Sequence, residues 1–550
     1  MAPRMRYGSP TVKGRPTTDG SGAAGAAGAP ARSSAGAAGA PAGSFAGAGA
    51  LARARLPLLA VILLGTLAGM KTADASIASI TLVDVSESFH LSASMQAFAA
   101  SVGTLALAAS ALPLGALSDR IGRRRVLTLS LLIVLAGALL ATVAPNALVF
   151  ISARAITGVG LGGVFGCAFA MVAAVAPGGL TPRALGIWNA TIMPAALIMQ
   201  LLGSVLAQID WRLAYLTLPL LALPLLFAGR AELPETARES RRGNPAALIA
   251  IAAAILVFLS GISMLANSPG AAGAWACIAA GLALFVVWVV LEKRSSHPTF
   301  PVSLLRKPIF IAAVIAGMLF NVALGLLTLQ LANFWEYLRG YEAVQVTVGL
   351  LPVPVVAAVM SLAAGRWLAH GAKAAWLMPL GLAVCAAGFF TLLPATAHSP
   401  YLAFLPALVL VPAGISFVTV PQSQVFVAQA PPGFTGAVTA SRITFGQLGY
   451  SVSIALSVAL ISIGANMDFP RLLRDAGVNP VRAGTALADV QMYAALENGK
   501  DVPAARAVVE TSAGAYTAGF RLVMLVFAGA CLAGALVIGL LAVVGRRRGP

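Results

Sequence analysis

Charge is scarce in this chain. Only 10% of its 550 residues are Asp, Glu, Lys or Arg, against about 25% in a soluble globular protein. Acid is the scarcer sign, with 18 Asp and Glu against 36 Lys and Arg. Cysteines number four (Cys167, Cys277, Cys385 and Cys531). Each sits in an apolar run and none forms a C-x-x-C pair, so a disulfide scaffold is excluded and small hydrophobic filler is the better reading. The four histidines, at 90, 297, 370 and 398, make no metal-ligand spacing. No G-x-x-x-x-G-K-[ST] run occurs, so the chain carries no ATP motor of its own. What is present in excess is apolar surface: 59% of residues are hydrophobic, with mean hydropathy +0.90. One or two water-soluble cores cannot bury that much, and disorder, collagen and an ordinary cytosolic enzyme are excluded for the bulk of the chain. A polytopic membrane protein remains.

Residues 1–55 are rich in Ala, Gly, Pro and Ser with scattered arginines, and contain no contiguous apolar h-region. They read as a disordered basic tail. From residue 56 to 544 the chain divides into fourteen apolar blocks of about 17–28 residues, each long enough to span as a helix. The only long connection is 465–516, between the last two. With both termini in the cytoplasm, 26 of the 36 basic residues fall on the inner side, seven outside, and three (Lys71, Arg154 and Arg521) within spans. The inner set counts Arg442 at the mouth of span thirteen. That split obeys the positive-inside rule. The net charge of +18 is therefore largely topology. A nucleic-acid reading fails, because the charge gathers on no soluble domain.

Between spans two and three lies Gly115-Ala-Leu-Ser-Asp119-Arg120-Ile-Gly122-Arg123-Arg124-Arg125. A topogenic cluster accounts for the arginines but not for the Asp and the glycines. Gly115 permits close helix approach, and a cluster of this kind can hold one conformation and release it in another. The segment resembles the signature loop of the major facilitator superfamily, roughly G-x-L-x-D-R-x-G-R-R-[RK]. Asp74-Ala-Ser76-Ile77-Ala-Ser79 in span one is similar to D-x-T-I-V-N of that superfamily's fourteen-span drug:proton antiporter branch. Arg154-Ala-Ile-Thr157-Gly158-Val-Gly160 in span four is similar to the branch's R-x-x-Q-G-x-G. Arg339-Gly340-Tyr341 and Gly349-Leu-Leu-Pro352 match its region after span nine, and Gly365-Arg366 through Lys373 sits where a second-half echo of the signature loop belongs. Of the span-five pattern G-P-x-x-G-G, tied in the branch to antiport, only Pro194 is kept.

The resemblance implies an all-α major facilitator fold with 14 transmembrane helices: an N-terminal six-helix half (56–229), a linker with two extra spans (230–308), a C-terminal six-helix half (309–544) holding the extracytoplasmic loop 465–516, and a basic tail (545–550). It further implies proton-driven export of small amphipathic molecules by alternating access across a bacterial inner membrane, with the proton gradient as energy source, no cofactor, no metal and no enzymatic activity.

Asp74 is the one acidic residue well inside a span, and intramembrane charge is costly and functional by default. At 1.5 Å per residue, Asp74 and Arg154 lie about 13 and about 10 Å from the outer ends of their helices, at similar depth, and the resemblance, in which both helices line the central cavity of the N-terminal half, implies that they can pair. Lys71 stands one turn from Asp74. Burial and the neighbouring cations pull the protonation of Asp74 in opposite senses, which makes these three residues the candidate proton-coupling site; a static ion pair is the alternative. Gly115, Asp119, Arg120, Gly122, Arg123 and Arg124 are the candidate gate.

Trp188, Asn189 and Gln200 in span five, Asn321 and Gln330 in span nine, and Gln447 in span thirteen are candidates for a substrate cavity, with helix–helix hydrogen bonding as the competing role. Gln422, Gln424 and Tyr450 are weaker candidates of the same kind. Lys71, Arg154 and Asp74 leave one excess positive charge, favouring a neutral or anionic substrate. Lys71 and the eroded span-five pattern support an alternative, import or exchange of an organic anion on the same fold. A transport-inactive scaffold or sensor is the third reading. Gly158-Val-Gly160-Leu-Gly162-Gly163 matches G-x-G-x-x-G but lies within a span with no preceding strand, where small residues serve helix contact.

Overall fold

The computed structural model describes residues 56–177, 179–236, 243–267, 271–475 and 503–547. The expected tail 1–55, the linker arginines 238, 241 and 242, residues 476–502 of the expected loop and the last three residues lie outside that set.

Seventeen α-helices order the described residues: α1 (Leu58–Ile80), α2 (Leu82–Phe89), α3 (Ala93–Ile121), α4 (Arg123–Thr142), α5 (Ala147–Val175), α6 (Thr181–Ala207), α7 (Trp211–Ala214), α8 (Thr217–Glu232), α9 (Pro245–Asn267), α10 (Ala272–Arg294), α11 (Pro308–Arg339), α12 (Ala343–Gly349), α13 (Pro352–Ala369), α14 (Ala374–Phe390), α15 (Leu405–Gln429), α16 (Thr435–Asp475) and α17 (Pro503–Arg547). Thirteen membrane-length apolar helical segments are present among the described residues, and α14, apolar and 17 residues long, brings the set to fourteen. The fold is the expected all-helical bundle.

A bilayer leaves the backbone no partner but itself, so each apolar run closes its own ladder as a helix. Polar side chains inside the spans follow the same logic and turn back on their own helix: Thr157 donates to the Ala153 carbonyl at 3.0 Å, Asn189 to Leu185 at 2.8 Å and Asn321 to Gly317 at 2.8 Å. A few helix starts carry side-chain caps. Asn146 accepts from the Val149 amide at 3.0 Å ahead of α5, and Asp210 accepts from Arg212 at 2.8 Å ahead of α7.

The last connection differs from expectation. Instead of a loop from 465, α16 runs 41 residues to Asp475, and α17 starts at Pro503 and runs 45. At 1.5 Å per residue these helices are about 62 and about 68 Å long, well beyond a hydrocarbon core of about 30 Å. The polar composition beyond residue 465 does not mark the end of the helix.

Helices α1–α8 form one half and α11–α17 the other. The inserted hairpin α9–α10 packs α9 against α3 of the first half and α16 of the second, covering one side of the seam between halves. Its connection onward is pinned by buried Glu292, whose carboxylate accepts from the amides of Thr299 (2.8 Å) and Phe300 (3.4 Å) and from the Thr299 hydroxyl.

Candidate functional site

Three features lie near the seam: an ion pair in the first half, a polar cavity between the halves, and a carboxylate-capped helix contact at the arginine-rich end.

The ion pair joins α1 to α5. Arg154 donates to both carboxylate oxygens of Asp74, at 2.5 and 2.9 Å, and both residues are buried. The glycines of α5 make this possible. A Cβ on Gly158 would stand 2.1 Å from the Gly103 carbonyl oxygen, so α3 and α5 touch backbone to backbone there, and Gly103 leaves room for the guanidinium itself. Beyond the pair, the Arg154 guanidinium lies 5.3 Å from the centre of the Tyr215 ring, and the Tyr215 hydroxyl bonds the Thr81 hydroxyl at 2.8 Å. Both carboxylate oxygens thus accept from one guanidinium, a bidentate pair of charge-assisted hydrogen bonds.

Lys71 points elsewhere. It lines a cavity of about 110 Å³ whose walls come from α1, α5 and α6 of one half and α11, α13, α15 and α16 of the other. Asn189 and Asn321 line it too, with Ser361, Ser416 and Thr419. So does Arg442, which the sequence reading placed with the cytoplasmic charges. That placement is corrected: α16 begins at Thr435, after Pro431-Pro432-Gly433, so Arg442 sits two turns inside the helix and is only 6% exposed. Its Nε donates to the Gln422 side-chain oxygen at 2.9 Å, and Gln422 in turn donates to the Ala313 carbonyl at 3.0 Å. The Pro-Pro-Gly break was the signal that would have found it. The positive excess around the site is therefore two, from Lys71 and Arg442, with Arg154 matched by Asp74.

The remaining cavity candidates separate. Trp188 is fully buried, stacked on Phe169 at 5.0 Å, and faces the Arg442 guanidinium at 5.7 Å. Gln200, Gln330 and Gln447 are not among the cavity-lining residues. Gln330 is a helix–helix tie instead, donating to the Ser457 hydroxyl at 2.8 Å across α11 and α16. Gln424 and Tyr450 lie off the cavity as well, and Arg521 is an exposed residue reaching the Ala395 carbonyl at 3.4 Å.

The segment 115–125 closes the arginine-rich end. The Asp119 carboxylate, at the end of α3, accepts from the backbone amides of Gly436 (2.8 Å) and Ala437 (3.1 Å) in the first turn of α16, and from Arg123 at 3.2 Å. An anion thus caps a helix N-terminus of the opposite half, where free amides and the helix dipole favour it. Gly115 and Gly436 let the helices come this close: a Cβ on Gly115 would stand 2.6 Å from the Gly436 carbonyl oxygen. Gly122 holds φ +105°, a conformation side chains resist, and a Cβ there would collide with Glu235. Arg123 reaches the Ala170 carbonyl at 3.3 Å, and Arg124 reaches Leu233 and Arg230 carbonyls at 3.2 and 3.4 Å at the end of α8. Arg120 approaches Gly243, the residue two before α9. A second seam contact pairs Gly186 of α6 with Gly365 of α13, where a Cβ on Gly186 would meet the Gly365 Cα at 2.9 Å. At this end the two halves meet through glycine-on-glycine packing and one anionic cap.

The sequence matches the family model described as Major Facilitator Superfamily over residues 62–454. It is 26% identical over 501 residues to the multidrug efflux pump LfrA of Mycolicibacterium smegmatis, covering 89% of this chain and 95% of that relative. It is also 26% identical over 405 residues to the cephamycin export protein CmcT of Amycolatopsis lactamdurans, covering 72% and 82%. Among solved structures, the human organic anion transporter MFSD10 (TETRAN) superposes with TM-score 0.58 at 14% identity, covering 88% of this chain and 99% of that one. The proton:xylose symporter XylE superposes with TM-score 0.57 at 14% identity, covering 87% and 94%; at such identity both likenesses bear on the fold alone. Family model, length of match, helical architecture and the glycine-packed signature loop agree, and this chain is a multi-pass membrane protein of the Major Facilitator Superfamily.

Proposed function

We propose that the protein exports small amphipathic molecules across a bacterial inner membrane, driven by the proton gradient, with both termini in the cytoplasm. The observation that carries this is the buried, bidentate Asp74–Arg154 pair beside a cavity built from both halves. The efflux and export proteins similar to this chain over most of its length support the same reading.

The geometry supports the following residue roles. Asp74 carries the proton, and Arg154 sets when it can. Protonation removes the charge that holds the Arg154 fork, loosening α1 from α5 next to the cavity, and deprotonation restores it. Asp119 and its glycines hold the cytoplasmic end shut until the halves rock apart. Rigid halves turning about a central site, with the cavity facing one side and then the other, is the motion such a two-half bundle supports. Among the described residues that line the cavity none is a carboxylate, and this favours a neutral or anionic substrate over a dication.

The test is transport in proteoliposomes with an imposed pH gradient. Wild-type protein should couple substrate efflux to proton flux. Asp74→Asn keeps the shape of the side chain but not the titratable group, and should abolish the coupling. Proton-coupled efflux undiminished in Asp74→Asn would remove Asp74 from the mechanism. Substrate flux indifferent to the pH gradient would replace the proposal with exchange of an organic anion, and no flux with any substrate would favour a scaffold.

A further inference from the structure

Lys71 and Arg442 face one cavity, and among the described residues no carboxylate lies within ion-pair distance of either. Cations in a low-dielectric interior are costly unless paired. What surrounds these two is aromatic. Lys71 Nζ stands 5.6 Å from the Phe165 ring centre, and the Arg442 guanidinium 5.3, 5.7 and 5.8 Å from Phe169, Trp188 and Phe320. The rings form one continuous surface: Phe165 lies edge-on to Trp188 at 5.6 Å, and Trp188 stacks on Phe169. Aromatic faces attract a cation but give no hydrogen-bond acceptor. The Gln422 oxygen takes the Arg442 Nε, and Arg442 lines the cavity with a planar guanidinium of the kind that matches an oxyanion.

We propose that Lys71 and Arg442 are a headgroup subsite for an amphipathic organic anion, a carboxylate or sulfonate on an apolar body, gripped between the Lys71 ammonium and the Arg442 fork. This rests on the reading of the cavity as the transport site. Arg154 does not take part, because Asp74 already neutralises it. The cavity volume of about 110 Å³ is below the roughly 300 Å³ at which drug-sized pockets begin. It seats a headgroup and the first atoms of its tail, with Ile192, Met193, Leu324 and Ile415 as apolar wall, and is too small for a two-chained lipid. The two cations come from opposite halves, α1 and α16. Like charges across the seam resist closure of the halves, and an anion between them reverses the sign of that force. The same contact that recognises the substrate therefore biases the conformational step.

The full-length protein in phosphatidylcholine nanodiscs, titrated by calorimetry with phenylhexanoate, phenylhexanol and phenylhexylammonium, tests this. The carboxylate should bind at least about tenfold more tightly than the ammonium. Lys71→Gln and Arg442→Gln should each weaken the carboxylate by about tenfold while leaving the alcohol unchanged, and Arg442→Lys should retain the preference for the anion. Equal or tighter binding of the ammonium overturns the proposal, as does a parallel loss of carboxylate and alcohol in variants whose thermal unfolding matches wild type. Repeating the titration in phosphatidylglycerol separates the sources of the oxyanion: loss of phenylhexanoate binding there assigns the site to lipid headgroups and overturns the small-anion proposal. Carboxylate binding that depends on Lys71 and Arg442 without any pH-driven efflux sustains the subsite and removes only the export reading. Efflux of a neutral substrate that persists while the carboxylate fails to bind removes only the subsite.

Discussion

Replacing Asp119 by alanine should unlock the arginine-rich end. Its carboxylate receives two backbone amides of α16 at 2.8 and 3.1 Å and the Arg123 guanidinium at 3.2 Å. Arg123 keeps a second anchor on the Ala170 carbonyl, so the loss falls mainly on the contact between halves. A capping side chain exchanged for alanine costs about 0.5–2 kcal/mol, and a hydrogen bond to a charged group is worth about 1.5–3 kcal/mol. Because these overlap, about 3 kcal/mol is a fair total for a site this buried. In the proposed latch the contact belongs to the closed arrangement, so the whole amount enters the ratio of closed to open forms, a shift of about a hundredfold. Asp119→Asn keeps an acceptor oxygen but not the charge that faces the helix dipole, and should fall between wild type and alanine. The assay is alkylation of a single cysteine at Thr419, a cavity residue, in a background with Cys167, Cys277, Cys385 and Cys531 replaced. A membrane-impermeant maleimide is applied to the face carrying residues 115–125. The labelling rate should rise at least about tenfold in Asp119→Ala. An unchanged rate, in protein that still folds and inserts, would refute the latch.

Gly186→Val should give the same increase in labelling by a different route, since any Cβ at this position lies 2.9 Å from the Gly365 Cα and props α6 away from α13; forced overpacking of this kind costs about 1–3 kcal/mol. Glu292→Ala should lower the thermal stability of the solubilised protein by about 1–3 kcal/mol, because it strands the buried amide of Thr299, and limited proteolysis should then cut first between residues 295 and 307.

The helices and their number follow from composition: a chain this apolar, cut at short intervals by Pro, Gly and arginine clusters, has few alternatives in a bilayer. Asp74 and Arg154 stood out because intramembrane charge is rare and helix rise gives depth directly, but only the family resemblance put their two helices side by side. The ends of the last two helices were not legible, since polar residues beyond 465 read as loop although the backbone continues helical to Asp475. Nor was the placement of Arg442. A shift of five residues in the assumed start of α16 moves this arginine from a loop mouth to the cavity wall, and with it the charge of the site.

By itself, then, the sequence determined that this chain spans a membrane many times, which family it resembles, and which of its few charges are costly enough to matter. Tertiary structure decided what those charges do. Asp119 and Gly436 are separated by 317 residues, and Asp74 and Arg154 by 80. Local pattern registers the cost of burying a charge, because the desolvation penalty is set by the apolar run around it. It does not register a partner across the seam, such as the α16 amide that meets Asp119, because that partner is chosen by how two halves of the fold come together.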